Sequence, residues 1–347
     1  MDQQAAQIIV PANDHASGFW FGGGNMGQSQ DGALYVVGRF RNAGDSRVGV
    51  AAGTRGLELA VFRSADKGES FDKVVSLSKA DLNVDDQTVL SIEGTALRMT
   101  SEGVELFVST EKDAIGYPNG LESFLKPGTG VWTIDKLSAS SIEELHTAKV
   151  QPLLASDDPE YLHIKDPFVY EHNDVATLLF CSHPFCWSSS NTGYCDLDPA
   201  TDSDLNHTFF PRGTTWDVAM TRGTAVVDVP RLGAFADKAI SLVFYDGGEC
   251  LRDLDEHDAA VKRPRGYSCE ELGGLAWMPS GSITTPQRLS KYEPMFLSPH
   301  GTACSRYVDV LTTSDGMYAT WQQSQPDGSQ PLVMNFLSNQ QIESALN

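Results

Sequence analysis

The sequence predicts an all-β chain folded as one five-bladed β-propeller. Three observations carry this: a strand–turn–strand unit that recurs five times, spacings of about 70 residues that leave no room for a second domain, and almost no helical periodicity. In each unit a mixed strand ends at a polar turn and a very apolar strand follows, the hairpin signature. The copies are Asp31-Gly32 before Ala33–Val37, Glu102-Gly103 before Val104–Val108, and Asn173-Asp174 before Val175–Phe180. Asp237-Lys238 before Ala239–Phe244 and Asp315-Gly316 before Met317–Trp321 complete the set. The turns stand at 31, 102, 173, 237 and 315, at intervals of 71, 71, 64 and 78. A seven-bladed propeller needs about 50 residues per blade and does not fit. Evenly spaced units also argue against a generic sandwich.

The expected blades are 18–80, 86–150, 160–220, 221–290 and 297–340, within a single domain over residues 1–347. Some units run into a third strand. Leu57–Phe62 leads to the turn Ala65–Gly68, and Glu271–Trp277 leads to Pro279-Ser280-Gly281. Aligning Leu59 with Leu272 sets Glu58 opposite Glu271. Only Ser141–Ala148 and Asn339–Asn347 read as short helices. The polar stretch 184–212 reads as a long insert, a lid or an oligomer contact.

Charge narrows the partners. Lys and Arg number 25 against 46 Asp and Glu, a formal charge of -21 with pI ≈ 4.6. Such a chain repels phosphate backbones and anionic membrane surfaces, so neither nucleic acid nor membrane is expected as a partner. No apolar run reaches the ~20 residues of a membrane span. The opening Met1-Asp2-Gln3-Gln4 lacks a signal peptide's basic end and apolar stretch, which reads as a cytoplasmic chain or a secreted one without its leader. Six cysteines permit disulfides without requiring them, and none forms a CxxC pair, so no structural zinc is expected. A metal site among Asp246, Glu249 and the histidines has no recognisable spacing, and no cofactor is called for.

In a propeller the first strand of each blade lines the axial channel. Its start, the end of the second strand and the start of the third share one face, because neighbouring strands are antiparallel. Counting back about eight residues from each turn gives the channel-entry residues: Gly22–Asn25, Glu93, Asp166, Arg222 and Arg306-Tyr307. Second-strand ends add Arg39, Glu111, His183, Asp246 with Glu249, and Gln322. Third-strand starts add Arg55, Glu58, Glu270 and Glu271. Carboxylates and arginines meeting at one mouth suit glycosidic chemistry. One carboxyl group protonates the leaving oxygen, and a second activates water or attacks the anomeric carbon. Arginines offset the overall negative charge locally and clamp a carboxylate or sulfate.

Lys165-Asp166-Pro167-Phe168-Val169-Tyr170, with the turn and Leu-Leu-Phe strand that follow, resembles the five-bladed β-propeller glycoside hydrolases of the arabinanase, xylosidase and invertase group. The resemblance implies that Asp166 stabilises the transition state or tunes the general acid. The stretch from Val243–Gly248 on to Glu271–Ala276 is similar to their later blades, which implies a general acid at Glu271 or Glu270. Those families open the first blade with a catalytic Asp, where this chain has Gly22-Gly23-Gly24-Asn25, so Glu93 or Asp14 takes that part or the chemistry differs. Ser64–Phe71 also resembles the S-x-D-x-G-x-x-[W/F] turn of sialidases, whose sugar-gripping arginines have a parallel in Arg39, Arg222 and Arg306.

The expected activity is hydrolysis of a terminal glycosidic bond in an oligosaccharide or polysaccharide, with an acidic or sulfated sugar suited to the arginines. Glu271 is the expected general acid, Glu93 the base and Asp166 the electrostatic modulator, in an inverting mechanism taken from the resemblance. Arg39, His183, Arg222, Asp246, Arg306 and Tyr307 are the expected substrate-binding residues. Two rivals use the same scaffold: a polysaccharide lyase drawing its base and arginines from His163, His183, Tyr307, Arg222 and Arg306, and a non-catalytic carbohydrate-binding propeller.

Overall fold

The computed structural model describes residues 1–42, 56–113, 115–125, 129–183, 189–197, 205–248 and 271–347. Five antiparallel sheets follow one another along the chain as the blades of a five-bladed β-propeller. The first blade runs from a split inner strand, Trp20–Gly22 and Met26–Gln28, through Leu34–Arg41 and Glu58–Ser64 to Asp72–Ser78. The second holds Val89–Thr100, Gly103–Lys112, Val131–Ala139 and Gln151–Leu154. The third holds His163–His172, Val175–His183, Asn191–Asp196 and Asn206–Phe210. The fourth holds Met220–Asp228, Ile240–Gly248, Leu272–Pro279 and Gln287–Arg288. The fifth runs from Ser305–Thr312 through Gly316–Gln323 to Leu332–Ser338 and takes its outermost strand, Gln7–Val10, from the N-terminus.

The apolar second strands follow from this stacking. A blade is covered on both faces by its neighbours, so its middle strands bury nearly every side chain rather than alternate. Leu34–Phe40 is buried throughout. Apolar clusters seal the seams. Leu59 and Val61 meet Leu97 and Leu106 between blades one and two, and Phe107 and Ile134 meet Leu178 and Phe180 between two and three. Leu179 and Phe168 meet Val243 and Tyr245 between three and four, and Phe244 meets Val308 and Trp321 between four and five. Phe21, Phe40 and Phe62 meet Tyr318 and Met334 across the closing seam.

Three expectations are corrected. In the fourth blade Asp237-Lys238 does not join the two strands as a short hairpin; it closes a turn, with Lys238 N donating to Phe235 O at 3.0 Å. The first strand ends at Asp228, the second begins at Ile240, and the connection carries a 3-10 turn, Gly233–Phe235. Pro230 lacks the amide that would continue the ladder. The stretch 184–212 is not wholly an insert, because it supplies the two outer strands of the third blade, and Phe209 and Phe210 enter the seam with the fourth. Residues 184–188 and 198–204 lie outside the described residues. Glu58 does not stand opposite Glu271. Leu59 pairs with Arg39 and Gly273 with Asp246, so the alignment was one residue out, and one residue in a strand reverses the face. Glu58 turns outward to Lys73 at 2.6 Å and Ser76 at 2.8 Å.

Asn339–Leu346 is the α-helix, opened by a Ser338–Gln341 capping box, and Glu143–Thr147 is 3-10. Ser64–Phe71 is the turn between the third and fourth strands of blade one. Ser64 Oγ accepts from Gly68 N at 2.8 Å, and Asp66 Oδ1 accepts from Ser70 N at 3.0 Å. It lies on the face away from the channel-entry residues. Cys181, Cys195 and Cys304 form no disulfide with one another, and Cys186, Cys250 and Cys269 lie outside the described residues.

Candidate active site

The site is built by one device repeated around the axis: an irregularity near the start of each inner strand. In the second, third and fifth blades, two residues face one on the neighbouring strand. They are Glu93-Gly94, Asp166-Pro167 and Tyr307-Val308. The fourth blade has Thr224 extra after Gly223, and the first breaks outright at Gly23–Asn25. A bulge kinks the strand and re-aims its side chains, here toward the axis. The register therefore makes Glu93, Asp166 and Tyr307 equivalent positions, matched by glycines at 23 and 223. The residues just before them, Ile92, Lys165, Arg222 and Arg306, form a second equivalent set, matched by Gly22.

Asp166 and Tyr307 take left-handed backbone, with φ of 53° and 52°, as does Gly23 at 76°. A non-glycine residue held there stores strain, of the order of 1 kcal/mol or more. Neighbouring blades hold Asp166 in place. Its Oδ1 accepts from Gly94 N at 2.8 Å, while Ser109 Oγ accepts from Asp166 N at 3.0 Å and donates to Gly94 O at 2.8 Å. A Cβ on residue 94 would stand 2.4 Å from Asp166 Oδ1, so the carboxylate's approach needs glycine there.

Eight of the nine expected site residues form one network. Arg222 is its hub, with Nη1 3.3 Å from Asp166 Oδ2, Nη2 2.7 Å from Asp246 Oδ2 and the same Nη2 on Glu271 Oε2. Arg306 Nη1 reaches Glu271 Oε2 at 2.8 Å. Arg39 Nη2 lies 3.3 Å from both Glu93 Oε2 and the Tyr307 hydroxyl. The Tyr307 ring sits among the three guanidiniums, 4.0 Å from Arg222, 5.5 Å from Arg306 and 5.6 Å from Arg39. All eight are buried.

Electrostatics differentiates the acids. Burial opposes the charge on Asp166, but Lys165, Arg222, Arg39 and the Gly94 amide outweigh it and hold its carboxyl well below the usual range. Burial pushes Asp246 up to about 6, with Arg222 pulling down and the Glu271 charge pushing up. Tyr307 is raised by burial, opposed by Arg222.

His183 stands beside the network rather than in it. Its Nδ1 lies 3.0 Å from Ser189 O and its Nε2 3.2 Å from Cys181 Sγ. Burial, with the positive Lys165 alongside, holds its imidazole well below its ordinary value. His163 is likewise interior, 3.0 Å from the Tyr117 hydroxyl. Glu111 accepts from Gly130 N at 2.9 Å, and Asp14 is exposed on the surface. Arg55, Glu249 and Glu270 lie outside the described residues.

Sequence reasoning did not count Lys165 and Trp20 among the site residues. Lys165 Nζ lies 3.6 Å from both Glu93 Oε2 and Asp166 Oδ2 and 4.5 Å from the Trp132 ring. Trp20 lies buried beneath Arg39 at 4.7 Å and Arg306 at 5.1 Å. Lys165 stands one residue before the bulge, the place that Arg222 and Arg306 hold, and the bulge is visible only in the strand register.

This fold, with carboxylates at its mouth, defines a five-bladed β-propeller with a buried acid–arginine site. No family model matches the sequence, and no curated protein matches it. Solved structures share the fold. An α-L-arabinofuranosidase from Lactobacillus brevis is similar with a TM-score of 0.58 and 8% identity, over 94% of this chain and 92% of that one. A xylan β-1,4-xylosidase from Bacillus halodurans gives 0.56 and 11% over 94% of this chain, which spans only 54% of the xylosidase. A thermostable family-43 glycoside hydrolase gives 0.54 and 11%, over 94% and 91%.

Proposed function

We propose that this chain is a glycoside hydrolase cleaving a terminal glycosidic bond. The observation that carries the reading is the convergence of Glu93, Asp166 and Glu271, from three successive blades, on one cationic network. The propeller likeness to a xylosidase and an arabinofuranosidase supports the same class of bond.

In this reading Glu271 gives its proton to the leaving oxygen as the bond to the anomeric carbon breaks. A water attacks the opposite face and passes its proton to Glu93, so the anomeric configuration inverts. Asp166, held ionised, stabilises the positive charge that develops on the sugar. An acidic or sulfated sugar suits the site. Arg39 is buried, its Nη1 has no hydrogen-bond partner among the described residues, and that nitrogen lies where a side chain on residue 23 would stand. The three guanidiniums around Tyr307 would neutralise the carboxylate of a uronate, which favours the lyase as the second reading.

The experiment is a panel of neutral and acidic oligosaccharides followed by proton NMR from the first minute. The reading expects free sugar appearing first as the inverted anomer. Retained configuration overturns the inverting roles, and an unsaturated product moves the chain to the lyase class.

A further inference from the structure

On the face away from the channel-entry residues, the closing seam between blades one and five opens into a cleft of about 490 Å³. That is the size of a small-molecule site. Its floor is the side that blade five turns toward blade one. Met334 pairs with Gln7 of the N-terminal strand and Phe336 with Tyr318, so all four side chains point the same way. The wall is the turn Lys67-Gly68-Glu69 of blade one. It is tied to the floor twice: the Tyr318 hydroxyl donates to Lys67 O at 3.2 Å, and Lys67 Nζ reaches Asp315 Oδ2 at 2.7 Å. Ser314 and Asn339 complete the lining, with Asn339 Nδ2 donating to Ser314 O at 2.7 Å. A second hollow of about 300 Å³ adjoins the first, since Lys67, Ser314, Asp315 and Tyr318 line both. It adds Gln28, Asp31, Arg63 and Thr313, so one groove crosses the seam.

Two features say what fits. Phe336 is 39% exposed, although its ring packs on Tyr318 at 4.5 Å between centroids. Phe107, Phe180 and Phe244, at other seams, are buried. The cations of the groove are already matched, Lys67 by Asp315 and Arg63 by Asp31 at 3.8 Å. An anionic chain would meet Glu69 and a protein of formal charge -21 with those two cations already paired. A sugar ring without charge fits instead, its C–H face on Phe336 and its hydroxyls on the amides and hydroxyls of the rim. We propose that this groove is a second carbohydrate site, which holds a neutral oligosaccharide chain on the face opposite the mouth. That the held polymer is also the one cleaved rests on the glycosidase reading; the binding does not.

Affinity electrophoresis tests this, through gels containing soluble arabinan, xylan, galactan or mixed-linkage glucan, with polygalacturonate as the acidic control. Asp166→Asn is used as the parent so that the polymer stays intact. Binding at the mouth is common to parent and variant, so their difference reads the groove. At least one neutral polymer should retard the parent. Adding Phe336→Ala should weaken that binding about tenfold, and Phe336→Trp, which keeps a ring, should restore it. Phe336 lies on the surface, so the melting temperature should not move. In the otherwise wild-type chain, Phe336→Ala should cleave a short oligosaccharide at the wild-type rate. Equal retardation of parent and Phe336→Ala overturns the proposal, as does retardation by polygalacturonate alone or by no polymer. Retardation that depends on Phe336, in a protein whose wild type releases no sugar, leaves the groove standing and sinks the glycosidase reading instead.

Discussion

Asp166 carries the strongest single-residue argument. Its backbone is left-handed, its carboxylate is buried among three cations, and a glycine in the next blade makes room for it. Replacing that glycine, Gly94→Ala, drives a methyl into Asp166 Oδ1. We expect a tenfold to hundredfold fall in kcat and a stability loss of about 1–3 kcal/mol, read by kinetics and urea melts. Asp166→Asn keeps the shape and removes the charge, so kcat should drop by about 10²-fold or more while far-UV dichroism stays unchanged. Asp166 was legible because counting back from the Asn173-Asp174 turn places it at the channel entry, and because its Lys-Asp-Pro segment carries the family resemblance. Tyr307 was legible only as the neighbour of Arg306, since nothing in a one-dimensional pattern announces a left-handed tyrosine. Glu93 stood out as an acid inside an apolar strand. The place of Lys165 depended on register across a bulge, which strand spacing does not encode.

Strands and turns were more legible than the joints between them. Turn chemistry worked where the turn is short, as at Asn173-Asp174, whose φ values of 51° and 65° suit a two-residue hairpin. It failed at 229–239, where Pro230 and a 3-10 turn replace the hairpin. The closing strand Gln7–Val10 carried no signal, because only its last residue is buried and its partner lies at the far end of the chain. A chain lacking residues 1–10 loses the buried Val10 and that ladder, and should be less stable by about 2–4 kcal/mol in denaturant melts. The same seam carries a titratable joint. Asp309, on the inner strand of blade five, accepts from Met26 N on the inner strand of blade one at 2.8 Å. Burial pushes it up to about 6 from 3.8, against the pull of the Met26 and Val310 amides. The folded protein therefore binds this proton more tightly than the unfolded chain. Its contribution is complete below about 3.8 and lost as pH rises through about 6. Asp309→Asn, which still accepts from Met26, should exceed wild type by about 1–2 kcal/mol at pH 8 and converge with it near pH 4. Parallel urea melts at the two pH values check the sign.

At the scale of the whole molecule, a chain of formal charge -21 places four cations, Arg39, Lys165, Arg222 and Arg306, on its axis against four carboxylates. Composition predicted the repulsion of phosphate backbones but not this local balance, because the four come from four blades and meet only when the ring closes. The propeller itself was legible from five turns and their spacing. The order of strands was legible too, since each hairpin is local. The site's chemistry was legible as a list of acids and arginines at the mouth, and illegible as a wiring diagram, because hydrogen-bond partners among its eight residues are 24 to 268 residues apart. The account's central claim is that this network cleaves glycosidic bonds. It is tested most directly by assaying reducing sugar released from neutral and acidic oligosaccharides by wild type and Asp166→Asn side by side, at equal helicity and melting temperature. The account expects sugar from the wild type and about a hundredth or less of that rate from the variant. No sugar from either, with both folded, would contradict it and leave a carbohydrate-binding propeller in its place.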